Sequence, residues 1–118
     1  MNRSVRERLD ALPAIRREIT RTKRRLAELK RNADGENDLT YASTLAQLER
    51  YLADALCEQE ALLEYINDIY DGELREIFML RFYDGVRPWQ KVAFLAGEHD
   101  ESFVRRKVNT YIQKHKAL

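Results

Sequence analysis

One cysteine, two prolines, four glycines and a single tryptophan are spread over 118 residues. The lone Cys57 has no internal partner, which excludes an intramolecular disulfide and suits a reducing cytoplasm. His99 and His115 lack companions at metal-ligand spacing, so neither a metal nor another cofactor is expected. No apolar run approaches the roughly 18 residues needed to cross a bilayer. The Arg-rich N-terminus is not followed by the apolar segment of a secretory signal, and a membrane is not an expected partner. A nucleophile–His–carboxylate set and a Gly-rich phosphate loop are also missing, so the chain does not read as an enzyme. With so few glycines and prolines, strands and long loops are not expected. The composition, 44% hydrophobic and 35% charged, reads as all-α.

The charge is small in total and large in segments. Residues 1–31 carry 11 Lys/Arg against 4 Asp/Glu, residues 32–80 carry 2 against 12, and residues 81–118 carry 8 against 4. The basic N-terminus has three readings: a face paired with the acidic segment, a nucleic-acid arm, or a helix on a membrane surface. Hydrophobic spacing favours the first. Leu12, Ile15, Ile19, Thr22, Leu26 and Leu29 alternate steps of three and four residues, and Leu45, Leu48, Leu52, Ala55, Gln59, Leu62, Ile66 and Ile69 do the same. Folding back at the turn-like stretch 32–38 pairs Leu29 with Leu45, Leu26 with Leu48, Thr22 with Leu52, Ile19 with Ala55, Ile15 with Gln59 and Leu12 with Leu62. This is a consistent antiparallel register. It sets the basic first helix beside Glu49, Asp54, Glu58 and Glu60. Pro13 costs about 3 kcal/mol inside a helix, so the first helix is expected to begin near it, with residues 3–12 a separate turn or frayed. The second helix is expected over about Ser43 to Tyr70. Leu56 and Leu63 fall beside the seam, where a second copy or the chain's own head has to cover them, and a homodimer is the simpler solution.

The last third has a different grammar. Asp71 can cap a helix whose apolar face is Leu74, Ile77, Phe78 and Phe82. A Gly85-Val86-Arg87-Pro88 turn then leads to a second helix, with Pro88 at its first position and Trp89, Val92, Ala93 and Ala96 inward. Gly97 ends it. Asp100 caps a third helix with Val104, Val108, Tyr111 and Ile112 inside and Arg105, Arg106, Asn109 and Gln113 outside. Such a unit presents its last helix to the major groove of DNA. Trp89 reads as core packing, His99 as a solvated turn residue, and Tyr65, Tyr70 and Tyr83 as a seal at the joint. The expected architecture is an antiparallel helical-hairpin (coiled-coil-like) arm over 1–70 and a three-helix helix-turn-helix domain over 71–118.

Leu80-Arg81-Phe82, Gly85, Trp89, Val92-Ala93, Gly97, Val104-Arg105 and Asn109-Thr110-Tyr111-Ile112 resemble the fourth conserved region of bacterial sigma factors. The resemblance is closer to small sigma-like regulators encoded by phages and prophages of Gram-positive bacteria, which also place a charged helical hairpin before the head. It implies double-stranded DNA as a partner and RNA polymerase as a candidate second one. By the same resemblance Gln90 and Lys91 sit near the phosphate backbone, while Ser102, Arg105, Arg106 and Asn109 face the groove. Lys107 stands where related sequences often place an apolar residue. Nothing resembles the sigma regions that melt DNA, so full sigma activity is not implied.

The functional expectation is a sequence-specific DNA-binding transcriptional regulator with its recognition helix over about 100–116. Two others stay open. One is a DNA-packaging adaptor resembling a small terminase subunit, which also joins a helix-turn-helix to oligomerising helices and would form large rings. The other is a protein-interaction module without DNA binding.

Overall fold

The computed structural model describes residues 3–32, 39–98 and 100–118. The fold is all-α, and no strand occurs among the described residues. Helix α1 runs over Val5–Arg31, α2 over Leu39–Asn67, α3 over Gly72–Phe78, α4 over Trp89–Leu95 and α5 over Glu101–Lys114; a π-helical turn, Met79–Tyr83, extends α3. Two compact units result: residues 1–13 with 61–118, and residues 14–60. These boundaries differ from the expected 1–70 and 71–118, because both ends of the anticipated arm cluster with the head.

The start of α1 corrects the sequence reading. The helix begins at Val5 rather than near Pro13, and Pro13 lies inside it. Ser4 and Glu7 form a reciprocal cap. Glu7 N–H donates to Ser4 Oγ at 3.1 Å, and Ser4 N–H donates to Glu7 Oε1 at 3.2 Å. These bonds, the Ser4 backbone contact first, hold the Glu7 carboxyl below its ordinary pKa. The first turns are kept helical by burial, since Val5, Leu9 and Leu12 all enter the core. Their burial, at about 1.5–3 kcal/mol per side chain, offsets a proline that cannot donate to the Leu9 carbonyl. Gly85 makes room for the ring: a Cβ there would stand 3.3 Å from Pro13 Cβ.

The first unit is built on one apolar cluster. Leu9, Leu12, Leu62, Ile66, Ile69, Ile77, Phe78, Phe82, Val92, Val104 and Val108 are fully enclosed. Leu74 and Ala93 are buried beside them, whereas Trp89, Ala96, Tyr111 and Ile112 are half-buried. Phe78 packs at 5.3 Å from Phe82 and edge-on to Tyr111 at 5.5 Å. Tyr65 meets Tyr111 edge-on at 5.8 Å, and its hydroxyl donates to the His115 carbonyl at 2.7 Å. Burial, then Tyr111, pushes the Tyr65 hydroxyl up to about 12. The expected tyrosine seal therefore needs correction. Tyr65 is interior and Tyr83 half-buried, but Tyr70 is 100% exposed, because α2 stops at Asn67 and Tyr70 lies in the link to α3.

In the unit of residues 14–60 the protected positions are those of the seam. Ile19 and Leu26 are buried, while Ile15, Thr22, Leu29, Leu45, Leu48, Leu52, Ala55 and Gln59 are half-buried. Glu49, Asp54 and Glu60 are exposed and Glu58 is half-buried. Leu56 is partly exposed beside the seam, together with Tyr51 and Cys57. Most of the anticipated turn 32–38, from Ala33 on, lies outside the described residues, as does His99.

Candidate nucleic-acid interface

Three short devices fix the surface of the last third. Asp71 caps α3, its Oδ1 accepting from Glu73 N–H at 3.0 Å and Leu74 N–H at 3.3 Å. The Leu74 bond is the main cause of an Asp71 pKa below the ordinary carboxylate value. Asp100 caps α5 in the same way, accepting from Ser102 N–H at 2.9 Å. Between α4 and α5, Gly97 takes a left-handed φ of 80°. There Glu98 N–H donates to the Ala93 carbonyl at 2.8 Å and Gly97 N–H to the Phe94 carbonyl at 3.1 Å. This bond pair is a Schellman ending, and it turns the chain sharply enough for α4 and α5 to pack together. Pro88 precedes α4 as its cap residue, one position before the expected one, since Trp89 opens the helix.

The π-helical turn had no counterpart in the sequence reading. Asp84 N–H reaches back five residues to the Met79 carbonyl at 2.8 Å, and Val86 N–H bonds the Leu80 carbonyl at 3.0 Å. The widened turn carries Arg81, whose guanidinium donates to the Arg87 carbonyl and lies 4.3 Å from the Trp89 ring centroid. Burial, ahead of the charge of Arg87, lowers the Arg81 pKa from its ordinary value. Arg81 thus ties the turn to the first residue of α4.

Helix α5 has two chemically distinct sides. Val104 and Val108 are buried, with Tyr111 half-buried on the same side. Ser102, Arg105, Arg106, Asn109 and Gln113 are all exposed, and their spacing sets them on the opposite side. Gln90 and Lys91 are exposed on a different helix, α4, which turns Val92 and Ala93 inward and leaves Phe94 in solvent. Lys107 is half-buried for a local reason. Its Nζ lies 3.7 Å from Asp71 Oδ2 and 5.2 Å from the Phe103 ring centroid, so its stem covers apolar surface while its charge meets the cap of α3. Phe103, Arg106, Lys107, Thr110, Lys114 and Leu74 border a groove of about 540 Å³.

One residue outside the anticipated set joins this surface. Arg6 Nη1 donates to Asn109 Oδ1 at 2.6 Å, and Arg6 Nε stands 3.7 Å from Asp10 Oδ2. The bond spans 103 positions, and only the tertiary fold brings the two residues together. Among the described residues no cluster of His, Cys, Asp or Glu is arranged to hold a metal ion. Likewise, no helix among them is long and apolar enough to cross a membrane.

The chain is an all-α protein, with five α-helices among the described residues and a polar, cation-bearing face on the last of them. Comparison with protein families, curated proteins and solved structures finds no match to the chain.

Proposed function

We propose that the chain is a sequence-specific DNA-binding transcriptional regulator of the phage or prophage type, with α5 as the recognition helix of a helix-turn-helix. One observation carries this reading: Ser102, Arg105, Arg106, Asn109 and Gln113 are exposed together on the side of α5 opposite Val104 and Val108. Arginine can bond guanine O6 and N7 in the major groove and asparagine can bond adenine N6 and N7, so Arg105 or Arg106 and Asn109 form a base-reading set. Gln90 and Lys91 supply backbone contacts from α4. The arm, with Leu56 and Tyr51 partly exposed on α2, serves oligomerisation or contact with a partner such as RNA polymerase.

Fluorescence anisotropy on random and selected duplexes at two salt concentrations tests this reading. Binding that weakens with salt and favours the selected duplex is expected. No binding to either duplex at low salt overturns it in favour of a protein-interaction module. Light scattering on the same samples separates a monomer or dimer, as expected of a regulator, from the large ring of a packaging adaptor.

A further inference from the structure

The first turn of α1 and the end of α5 border a cleft of about 290 Å³, lined by Arg3, Arg6, Arg8, Gln113 and Lys116 together with the apolar Val5, Ile112 and Leu118. Four cations border it, and no carboxylate side chain does. Two acids of α1 are engaged locally: Glu7 accepts from Ser4 N–H, and Asp10 stands 3.7 Å from Arg6. Two of these cations are anchored to main-chain oxygens. Arg3 Nη2 donates to the Glu7 carbonyl at 3.3 Å, and Arg8 Nη1 to the main-chain oxygen of the last residue, Leu118, at 3.1 Å. The cleft is also continuous with the exposed side of α5, because Arg6 bonds Asn109 and Gln113 follows one helical turn later.

We propose that this cleft is a second nucleic-acid contact, binding a backbone phosphodiester of duplex DNA through Arg3, Arg6 and Lys116. The proposal rests on the DNA-binding reading of α5 and adds a site on the N-terminal turn. A guanidinium has five N–H donors, so Arg3 and Arg6 can keep their protein bonds and still grip a phosphate. Arg6 has a second task. By donating to Asn109 Oδ1 it fixes the amide, leaving one Oδ1 lone pair and both Nδ2 hydrogens for an adenine edge. Arg6 is therefore a positioning residue for the base reader, as well as a phosphate contact.

The test is salt-dependent binding of the full chain to its selected duplex, with helicity and thermal melting checked for each variant. Arg3→Ala and Lys116→Ala, both at exposed positions, should each flatten the dependence of log affinity on log salt by about one unit without changing base preference. Arg6→Ala should flatten it equally and also relax the preference at the base read by Asn109, and Arg6→Lys should restore the slope but not the preference. Unchanged slopes for Arg3→Ala and Lys116→Ala, with Lys91→Ala still lowering the slope, would overturn the cleft and leave the α5 reading intact. Loss of all duplex binding in the unaltered protein overturns both. Binding to phosphatidylserine vesicles that depends on Arg3 and Lys116, without a slope change on DNA, would overturn the cleft in favour of a membrane-surface role.

Discussion

Replacing Leu9 by Ala tests how the N-terminal turn is built into the first unit. Leu9 is 0% exposed, and it precedes Pro13, where the sequence alone places the start of the helix. Truncating an enclosed leucine to alanine removes its transfer free energy and leaves a cavity, together costing about 2–5 kcal/mol. A unit formed by residues 1–13 and 61–118 falls in the size range where each kcal/mol moves Tm by about 4–8 °C. A loss of about 3 kcal/mol therefore lowers Tm by roughly 10–25 °C. Leu39→Ala is the matched control, since Leu39 is 85% exposed and its truncation should change stability by less than about 0.5 kcal/mol. Thermal and urea melts followed by circular dichroism give both numbers. Equal melts for the two variants would refute the burial of α1's first turns.

Three further outcomes follow from local geometry. Gly97→Ala should destabilise the α4–α5 turn by about 1–2 kcal/mol in chemical denaturation, because φ is 80° while no atom lies within 4 Å of the added Cβ; the cost is purely conformational, and Gly97→Asn should recover part of it. The urea midpoint should depend on pH through two groups of opposite sign. The lowered pKa of Asp71 gives stability that is present above about pH 4 and lost as pH falls through its folded pKa. The hydrogen bond and repulsion from Glu98 raise Glu73, whose contribution is full below its ordinary pKa and lost as pH rises through the folded one. Asp71→Asn, which keeps a capping side chain, should remove the acid-side loss, and Glu73→Gln the higher-pH one; unchanged profiles would contradict these assignments. For the arm, cysteines at Leu26 and Leu48 in a Cys57→Ser background should cross-link under mild oxidation, whereas a pair at Leu26 and Leu62 should not, if the two helices run antiparallel in the seam register.

The parts of this fold legible in the sequence were those governed by nearby residues. Asp71 and Asp100 are caps because a short carboxylate preceding a helical pattern reaches its first free amides, and both bonds are present. Gly97 ends α4 because a left-handed turn needs no Cβ. The buried residues of α3 to α5 follow the three-to-four spacing of the sequence. Helix α1 begins earlier than Pro13 suggests, and a local signal marks its start. Ser4-Val5-Arg6-Glu7 is a capping box, which competes with the general penalty for proline inside a helix. The room for the Pro13 ring comes from Gly85, which is distant in sequence, and the offsetting energy from the burial of Val5, Leu9 and Leu12. The π-helical turn has no periodic signature of its own, so neither it nor the contact of Arg81 with Trp89 could be anticipated. At the candidate site, the exposed face of α5 was legible from periodicity, but the Arg6–Asn109 bond was not, since no local pattern relates residues 103 apart.

The central claim, that α5 reads bases, is tested most directly by selecting bound sequences from random duplex DNA with the unaltered protein and with Arg105→Ala, Arg106→Ala and Asn109→Ala in parallel. The account predicts an enriched motif for the unaltered protein. It predicts relaxed preference at a single position in at least one arginine variant, worth about 1–3 kcal/mol, and weaker selection of adenine for Asn109→Ala. No enriched motif, or one motif shared unchanged by all four proteins, would contradict it.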